Sequence, residues 1–226
     1  MSELADRLAS VDGRIADAAR EAGRDPAELT RIVVTKFHPA SLVRELAQLG
    51  VRDVGENRHQ EAAAKAAELA GLELRWHFVG QLQRNKARAV RSYAASVHSL
   101  DRPELADALD RAGDGAPPLD VFLELNLTDD PGRGGVAPDE VERLAEHVLT
   151  LPTLRLRGVM AVAPLGAEPR GAFARVRAAS ERVSALAPDA RAISAGMSGD
   201  FRAAILEGAT HLRIGTAITG KRSTPD

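Results

Sequence analysis

Hydrophobic positions along this chain follow two periods that trade places. Leu4, Leu8, Val11 and Ile15 fall at helical spacing behind Ser2, which predicts an amphipathic helix over about 2–22, closed by Gly23 and Pro26. Residues 31–36 (RIVVTK) then form a short β-branched run, the mark of a strand buried on both faces. Beyond it, helices over about 39–49, 59–70, 83–93, 103–112, 138–149, 168–186 and 200–207 alternate with strands over 53–56, 75–80, 96–100, 119–126, 154–160, 190–194 and 210–215. Eight strands, each separated from the next by a helix, imply parallel pairing with right-handed crossovers. That number favours closure into a (β/α)8 barrel over an open doubly wound sheet. No repeat or low-complexity linker interrupts the pattern, so one domain over 1–226 is expected. It carries a glycine-rich loop at 131–136 and a frayed tail over about 222–226.

Composition narrows the class. The chain is 44% hydrophobic but only 3% aromatic, so the core is expected to be mostly Ala, Val, Leu and Ile. Thirty basic against 32 acidic side chains leave a formal charge of -2, with no net pull toward nucleic acid or anionic lipid. The lack of cysteine removes disulfides, thiolate metal sites and cysteine nucleophiles, and the six histidines show no metal-ligand spacing. The start MSELADR has no signal-peptide run and no stretch reaches the ~20 apolar residues of a membrane span. A soluble, monomeric, cytoplasmic protein is expected.

In a barrel of this kind the chemistry lies at the carboxyl ends of the strands. Strand one ends on Lys36, strand two leads to Glu56 and Asn57, and strand three carries His77 and leads to Gly80. Asn126 follows strand five, Met160 closes strand six, 194–198 follow strand seven, and Arg213, Gly215 and Thr216 close strand eight. Lys36 is the sharpest candidate. A buried amine loses its proton below the usual ~10.4 and attacks carbonyls, which is Schiff-base chemistry. A lysine turned outward into solvent fits the position equally well. A phosphate site is suggested by SAGMSGD (194–200) and RIGTA (213–217), which the fold brings together. Gly196, Gly199 and Gly215 permit close backbone approach, while Ser198 and Thr216 supply hydroxyls. Ordinary glycine turns explain either segment alone. For Arg213 a structural ion pair is the plainer reading, for His77 a packed strand histidine, for Met160 and Met197 the filling of core gaps, and for Arg84 and Lys86 a solvated basic face.

Six segments in order, VTK (34–36), VGENRHQE (54–61), WHFVGQLQRNK (76–86), LRGVMAV (156–162), SAGMSGD and RIGTAITGKR (213–222), resemble the YggS/PROSC family of pyridoxal phosphate homeostasis proteins. That resemblance implies a fold-type III site for pyridoxal 5'-phosphate (PLP), on a barrel like the N-terminal domain of alanine racemase. It makes Lys36 the Schiff-base lysine, Ser198, Gly215 and Thr216 the phosphate binders, Arg213 the residue facing the pyridine nitrogen, and Asn57 a pocket-lining residue. Ala195 departs from the family's usual SMGMS, which is expected to loosen packing behind the phosphate loop. The implied function is a carrier or regulator of intracellular PLP, with other B6 vitamers and PLP-dependent apoenzymes as further partners. Tyr93, the chain's only tyrosine, is expected in a helix and is a poor candidate for a second acid/base. Two alternatives stand beside this reading: a small PLP-dependent racemase or lyase, and a Schiff-base aldolase or isomerase without PLP.

Overall fold

A computed structural model describes residues 2–130 and 132–220. Eight parallel strands close in sequence order into a barrel: β1 (Thr30–Val34), β2 (Asp53–Glu56), β3 (Arg75–Phe78), β4 (Ala94–Leu100), β5 (Leu119–Leu125), β6 (Leu154–Ala161), β7 (Ala192–Ser194) and β8 (His211–Ile214). Around it run α1 (Glu3–Glu21), α2 (Ala40–Gln48), α3 (His59–Glu68), α4 (Ala87–Arg91), α5 (Pro103–Arg111), α6 (Val141–Leu149), α7 (Pro169–Leu186), α8 (Phe201–Leu206) and α9 (Thr216–Thr219). The expected (β/α)8 architecture is therefore present. The expected tail at 222–226 lies outside the described residues.

Local chemistry explains the boundaries. Ser2 caps α1 by accepting the Ala5 N–H at 3.2 Å, and Gly23, at φ 67°, reverses the chain in the left-handed region after it. The strand expected over 31–36 ends two residues early. Thr35 N still donates to the Gly55 carbonyl, but Thr35 O then accepts from His38 N, so 35–38 is a tight turn and Lys36 stands on it. The helix expected over 83–93 is a 3-10 turn (Arg84–Lys86) followed by the short α4, which leaves Tyr93 beyond the helix. The four-residue α9 was not expected at all.

The expected Val, Leu, Ile and Ala core lies outside the barrel wall. Val33, Val54, Val97, Leu123, Val159, Ile193 and Leu212 form one buried cluster with Leu46, Val90, Leu105, Val148, Val176 and Ile205 of the helices. The lumen differs. His98 on β4 meets the Ser194 hydroxyl on β7 at 2.8 Å, and the Phe122 ring on β5 lies 5.1 Å from that of His211 on β8. Those strands are not neighbours, so the contacts cross the interior, which holds imidazoles and hydroxyls where branched aliphatics usually stack. Gly158 marks a tight place in the wall: at φ 149°, an added Cβ would lie 1.8 Å from the Ala192 carbonyl oxygen.

The lumen gives the fold a dependence on pH. Burial, aided by the charges of His77, Arg213 and His211, holds His98 well below its ordinary value, and burial brings His211 down to about 4. The unfolded chain therefore binds more protons than the folded one below pH 6.5, so this stability is full above pH 6.5 and is lost as pH falls toward 4. Glu124 acts oppositely. Burial and the Asp101 carboxylate push it up to about 7, so it destabilises the fold as pH rises from 4.5 to 7. The melting temperature, followed by circular dichroism, is therefore expected to fall between pH 6.5 and 4 more steeply in Glu124→Gln than in the parent chain, because the substitution removes a carboxyl that opposes the imidazoles. Glu124→Gln is expected to raise it at pH 8 and leave it unchanged at pH 4.5; an equal shift at both values would contradict this account.

Candidate functional site

The mouth of the barrel holds a cavity of about 540 Å³, bounded by Lys36, Asn57, Ser198, Arg213, Gly215 and Thr216 together with Phe37, Val162 and Met197. All six residues that the family resemblance assigns to the site thus border one space, of the size small-ligand pockets commonly have. Asn126 does not border it. Its amide instead organises the loop after β5, accepting from the Thr128 N–H and hydroxyl and donating to the Asp130 and Arg133 carbonyls. Met197 is 39% exposed at the mouth, so the core-filling expectation is corrected, while Met160 is buried. Ala195 is buried and its N–H donates to the His211 carbonyl.

Lys36 is exposed, which corrects the expectation of a buried amine: the turn at 35–38 lifts it past the end of β1. The next residue, Phe37, has φ 67°, an outlying conformation for a bulky side chain. Its N–H donates to Glu61 Oε2 at 3.0 Å and the Arg58 guanidinium lies 4.9 Å from its ring centroid, so α3 holds the turn from outside. From inside, Lys65 Nζ donates to the Thr35 carbonyl at 2.8 Å and to Glu56 Oε1 at 2.7 Å, and the Thr35 hydroxyl donates to the same oxygen at 2.6 Å. Burial raises Glu56, with Lys65 and Thr35 opposing. The sequence reading missed this cluster, although a lone lysine among the alanines of EAAAKAAE was its visible sign.

Across the mouth, the loops after β7 and β8 interlock. Gly196, at φ 90°, brings the backbone so close to α8 that a Cβ would meet Ala204 and Phe201 within 2.9 Å. The Ala217 N–H donates to the Ser198 hydroxyl at 3.3 Å. The N–H groups of Ser198 and Gly199 meet no partner among the described residues, and that of Thr216 opens α9, where a helix cannot satisfy its own donors. Unpaired N–H groups and hydroxyls of this kind are the donors an anion cradle requires. Asn57 is fixed by close packing with the next loop, since a Cβ on Gly80 would lie 2.2 Å from the Asn57 carbonyl oxygen.

Arg213 is buried and, contrary to the ion-pair expectation, forms no ion pair among the described residues. It donates to the Ser194 carbonyl and hydroxyl, each at 2.7 Å, and to the Ala161 carbonyl at 2.8 Å. Burial lowers it to about 10, with the carboxylates of Glu124 and Asp200 opposing, so it remains a cation at neutral pH. His77 is more than a packed strand histidine, since both ring nitrogens are engaged in the lumen. Tyr93 stacks on His59, its hydroxyl is buried without a partner among the described residues, and it does not border the cavity. Among the described residues no group of three metal-ligating side chains occurs, and no helix is long and apolar enough to cross a membrane.

Comparison with known proteins places these features in a family. Residues 15–223 match the family described as alanine racemase, N-terminal domain. A protein of Pseudomonas aeruginosa named pyridoxal phosphate homeostasis protein is 46% identical, over 98% of this chain and 97% of that one. The Escherichia coli protein of the same name is 39% identical over 98% of both. Among solved structures, PipY of Synechococcus elongatus with PLP bound matches with a TM-score of 0.84 at 36% identity, over 96% of this chain and 100% of that one. Alanine racemase from Corynebacterium glutamicum matches with a TM-score of 0.69 at 16% identity over 93% of this chain and 60% of its own, a likeness of fold.

Proposed function

Because the chain belongs to the alanine racemase N-terminal domain family and, within it, to the pyridoxal phosphate homeostasis proteins, we propose that it binds PLP at the barrel mouth and serves intracellular PLP homeostasis without catalytic turnover. The observation that carries this reading is the meeting of one primary amine, one buried cation and an anion cradle on a single cavity. The donor set suits PLP: N–H groups and hydroxyls for a phosphate, and an amine for an aldehyde. When bound, PLP supplies an aldehyde that condenses with a primary amine with loss of water, and Lys36 is the amine on this cavity.

Ser198, Gly215 and Thr216 hold the phosphate by hydroxyl and backbone donors, and Asn57 lines the pocket. Arg213 keeps its proton up to about 10, so a ring nitrogen that accepts from it stays unprotonated, which weakens the ring as an electron sink. A muted ring suits holding rather than transformation. The same reading makes PLP-dependent apoenzymes the recipients, extends the ligand to other B6 vitamers, and takes the protein as a cytoplasmic monomer.

Purified protein mixed with PLP is expected to turn yellow, and borohydride followed by peptide mapping to place the modification on Lys36. A preparation that stays colourless in excess PLP would overturn the reading, as would sustained turnover of D- or L-alanine for its non-catalytic part. Ser198→Ala removes a donor to a charged group and is expected to weaken PLP binding by roughly 10- to 100-fold. Unchanged affinity in a spectroscopic titration would remove Ser198 from the phosphate site.

A further inference from the structure

Beneath the mouth, six polar side chains meet end to end through the lumen. Arg213 donates to the Ser194 hydroxyl at 2.7 Å, and that oxygen lies 2.8 Å from His98 Nδ1. On its other side His98 Nε2 lies 2.9 Å from the Ser96 hydroxyl, which is 2.7 Å from His77 Nδ1, and 3.0 Å from that nitrogen directly. His77 Nε2 completes the series 2.8 Å from Asp53 Oδ1. Asp53 also lines a second cavity of about 510 Å³ among the strand starts, at the opposite end of the barrel. Every member is buried, yet the function proposed above uses only Arg213.

The donors and acceptors permit a complete assignment that starts from the cation. Arg213 has only donors, so the Ser194 oxygen accepts from it, and in this assignment the hydroxyl proton points to His98 Nδ1. His98, kept neutral by burial, then carries its proton on Nε2 and donates to Ser96. The Ser96 hydroxyl points to His77 Nδ1, and His77 Nε2–H points to Asp53. Burial alone would raise Asp53, but the hydrogen bonds from His77 and Arg75 outweigh it and hold the carboxyl at about 2, so the series ends on an anion. All five links point the same way, from fixed cation to fixed anion, and bonds so aligned polarise one another.

We propose that this aligned series is a positioning relay for Arg213: Ser194, held by His98 and through it by Ser96, His77 and Asp53, fixes the direction in which the guanidinium faces the cofactor ring. The proposal rests on the reading of Arg213 as the residue facing the ring nitrogen. Two carbonyls, of Ser194 and Ala161, hold the guanidinium in the wall. The Ser194 hydroxyl is the contact that ties it to the lumen, where His98 also stacks on Phe122 at 4.2 Å and cannot swing away.

The test has two arms. In cofactor-free protein, long-range ¹⁵N–¹H NMR of the imidazoles is expected to find His98 with its proton on Nε2, and His77 with a proton on the Nε2 that faces Asp53. Ser194→Ala, which keeps the backbone carbonyl and adds no volume, is expected to shift the ring nitrogens of His77 as well as His98. A proton on Nδ1 of His98, or a His77 signal unmoved by Ser194→Ala, overturns the relay. In the PLP-loaded protein, Ser194→Ala is expected to move the cofactor's visible band in the direction that Arg213→Gln moves it, and to raise the PLP dissociation constant about tenfold. His98→Asn keeps an acceptor where Nδ1 stands and is expected to retain the wild-type band, whereas His98→Leu is expected to lose it. A band moved by Arg213→Gln but not by Ser194→Ala overturns the positioning role and leaves the PLP reading standing. Failure of the wild-type chain to bind PLP overturns that reading instead, and the NMR arm then decides the relay by itself.

Discussion

Lys36→Ala is expected to abolish borohydride-stable attachment of PLP while leaving stability within ~0.5 kcal/mol of the parent chain, as for other exposed positions away from packed features. The chain carries four lysines, Lys36, Lys65, Lys86 and Lys221, so competing amines are few. Lys65 is buried with its amine on Glu56 and the Thr35 carbonyl, Lys86 does not border the mouth cavity, and Lys221 lies outside the described residues. The anion cradle survives the substitution, so the variant should still take up PLP reversibly and release it on gel filtration. Lys36→Arg, which keeps the charge but cannot condense with an aldehyde, separates covalent capture from electrostatic attraction. Mass spectrometry of the reduced protein checks both variants. An adduct of unchanged stoichiometry in Lys36→Ala would mean that another amine captures the cofactor, and the assignment of the mouth would fail with it.

That Lys36 could be singled out at all reflects where the information lies in the chain. A β-branched run, RIVVTK, ends on the lysine, and the glycine, serine and threonine of SAGMSGD and RIGTA recur at two consecutive strand ends. Each of these is a local pattern, and the closed order of eight parallel strands makes the local patterns meet. Strand and helix boundaries were legible for the same reason, as in β2, whose four residues follow the expected 53–56. One error was also local: the first strand stops at Val34 because a tight turn competes for Thr35. The turn's strained Phe37, by contrast, depends on Glu61 and Arg58, more than twenty residues further along the chain.

The lumen was not legible because its partners are distant in sequence. Ser194 and His98 stand 96 residues apart, and nothing in the neighbourhood of either announces the other. Composition misled here in a specific way. A chain rich in Ala, Val and Leu does build its core from them, but that core wraps the outside of the barrel, and three of the six histidines, His77, His98 and His211, are spent within. A reading of His77 from its flanking Trp76 and Phe78 sees the apolar shell those neighbours face and misses the opposite side of the strand, since successive side chains in a strand alternate.

The buried lysine offers the second large effect. Removing Lys65 as Lys65→Ala leaves Glu56, already raised by burial and with Oε2 lacking a partner among the described residues, without the cation it pairs with. Breaking a buried pair from one side costs about 3–5 kcal/mol, well above a surface substitution and a large share of a domain's stability. Urea unfolding should show the loss as a lower midpoint with an unchanged slope, since the folded barrel buries the same surface. The site should suffer as well, because Lys65 holds the Thr35 carbonyl beneath the turn that presents Lys36. PLP capture is therefore expected to slow in Lys65→Ala even where the protein is fully folded. Pairing Lys65→Met with Glu56→Gln removes both charges and keeps most of the volume, and should recover much of the stability, because a buried amide costs far less to desolvate than an unpaired carboxylate. It should not recover the capture rate to the same degree, since the amine that held Thr35 is still missing. A double variant no more stable than Lys65→Met alone would show that the pair's value lies in the Thr35 contact and not in balancing Glu56.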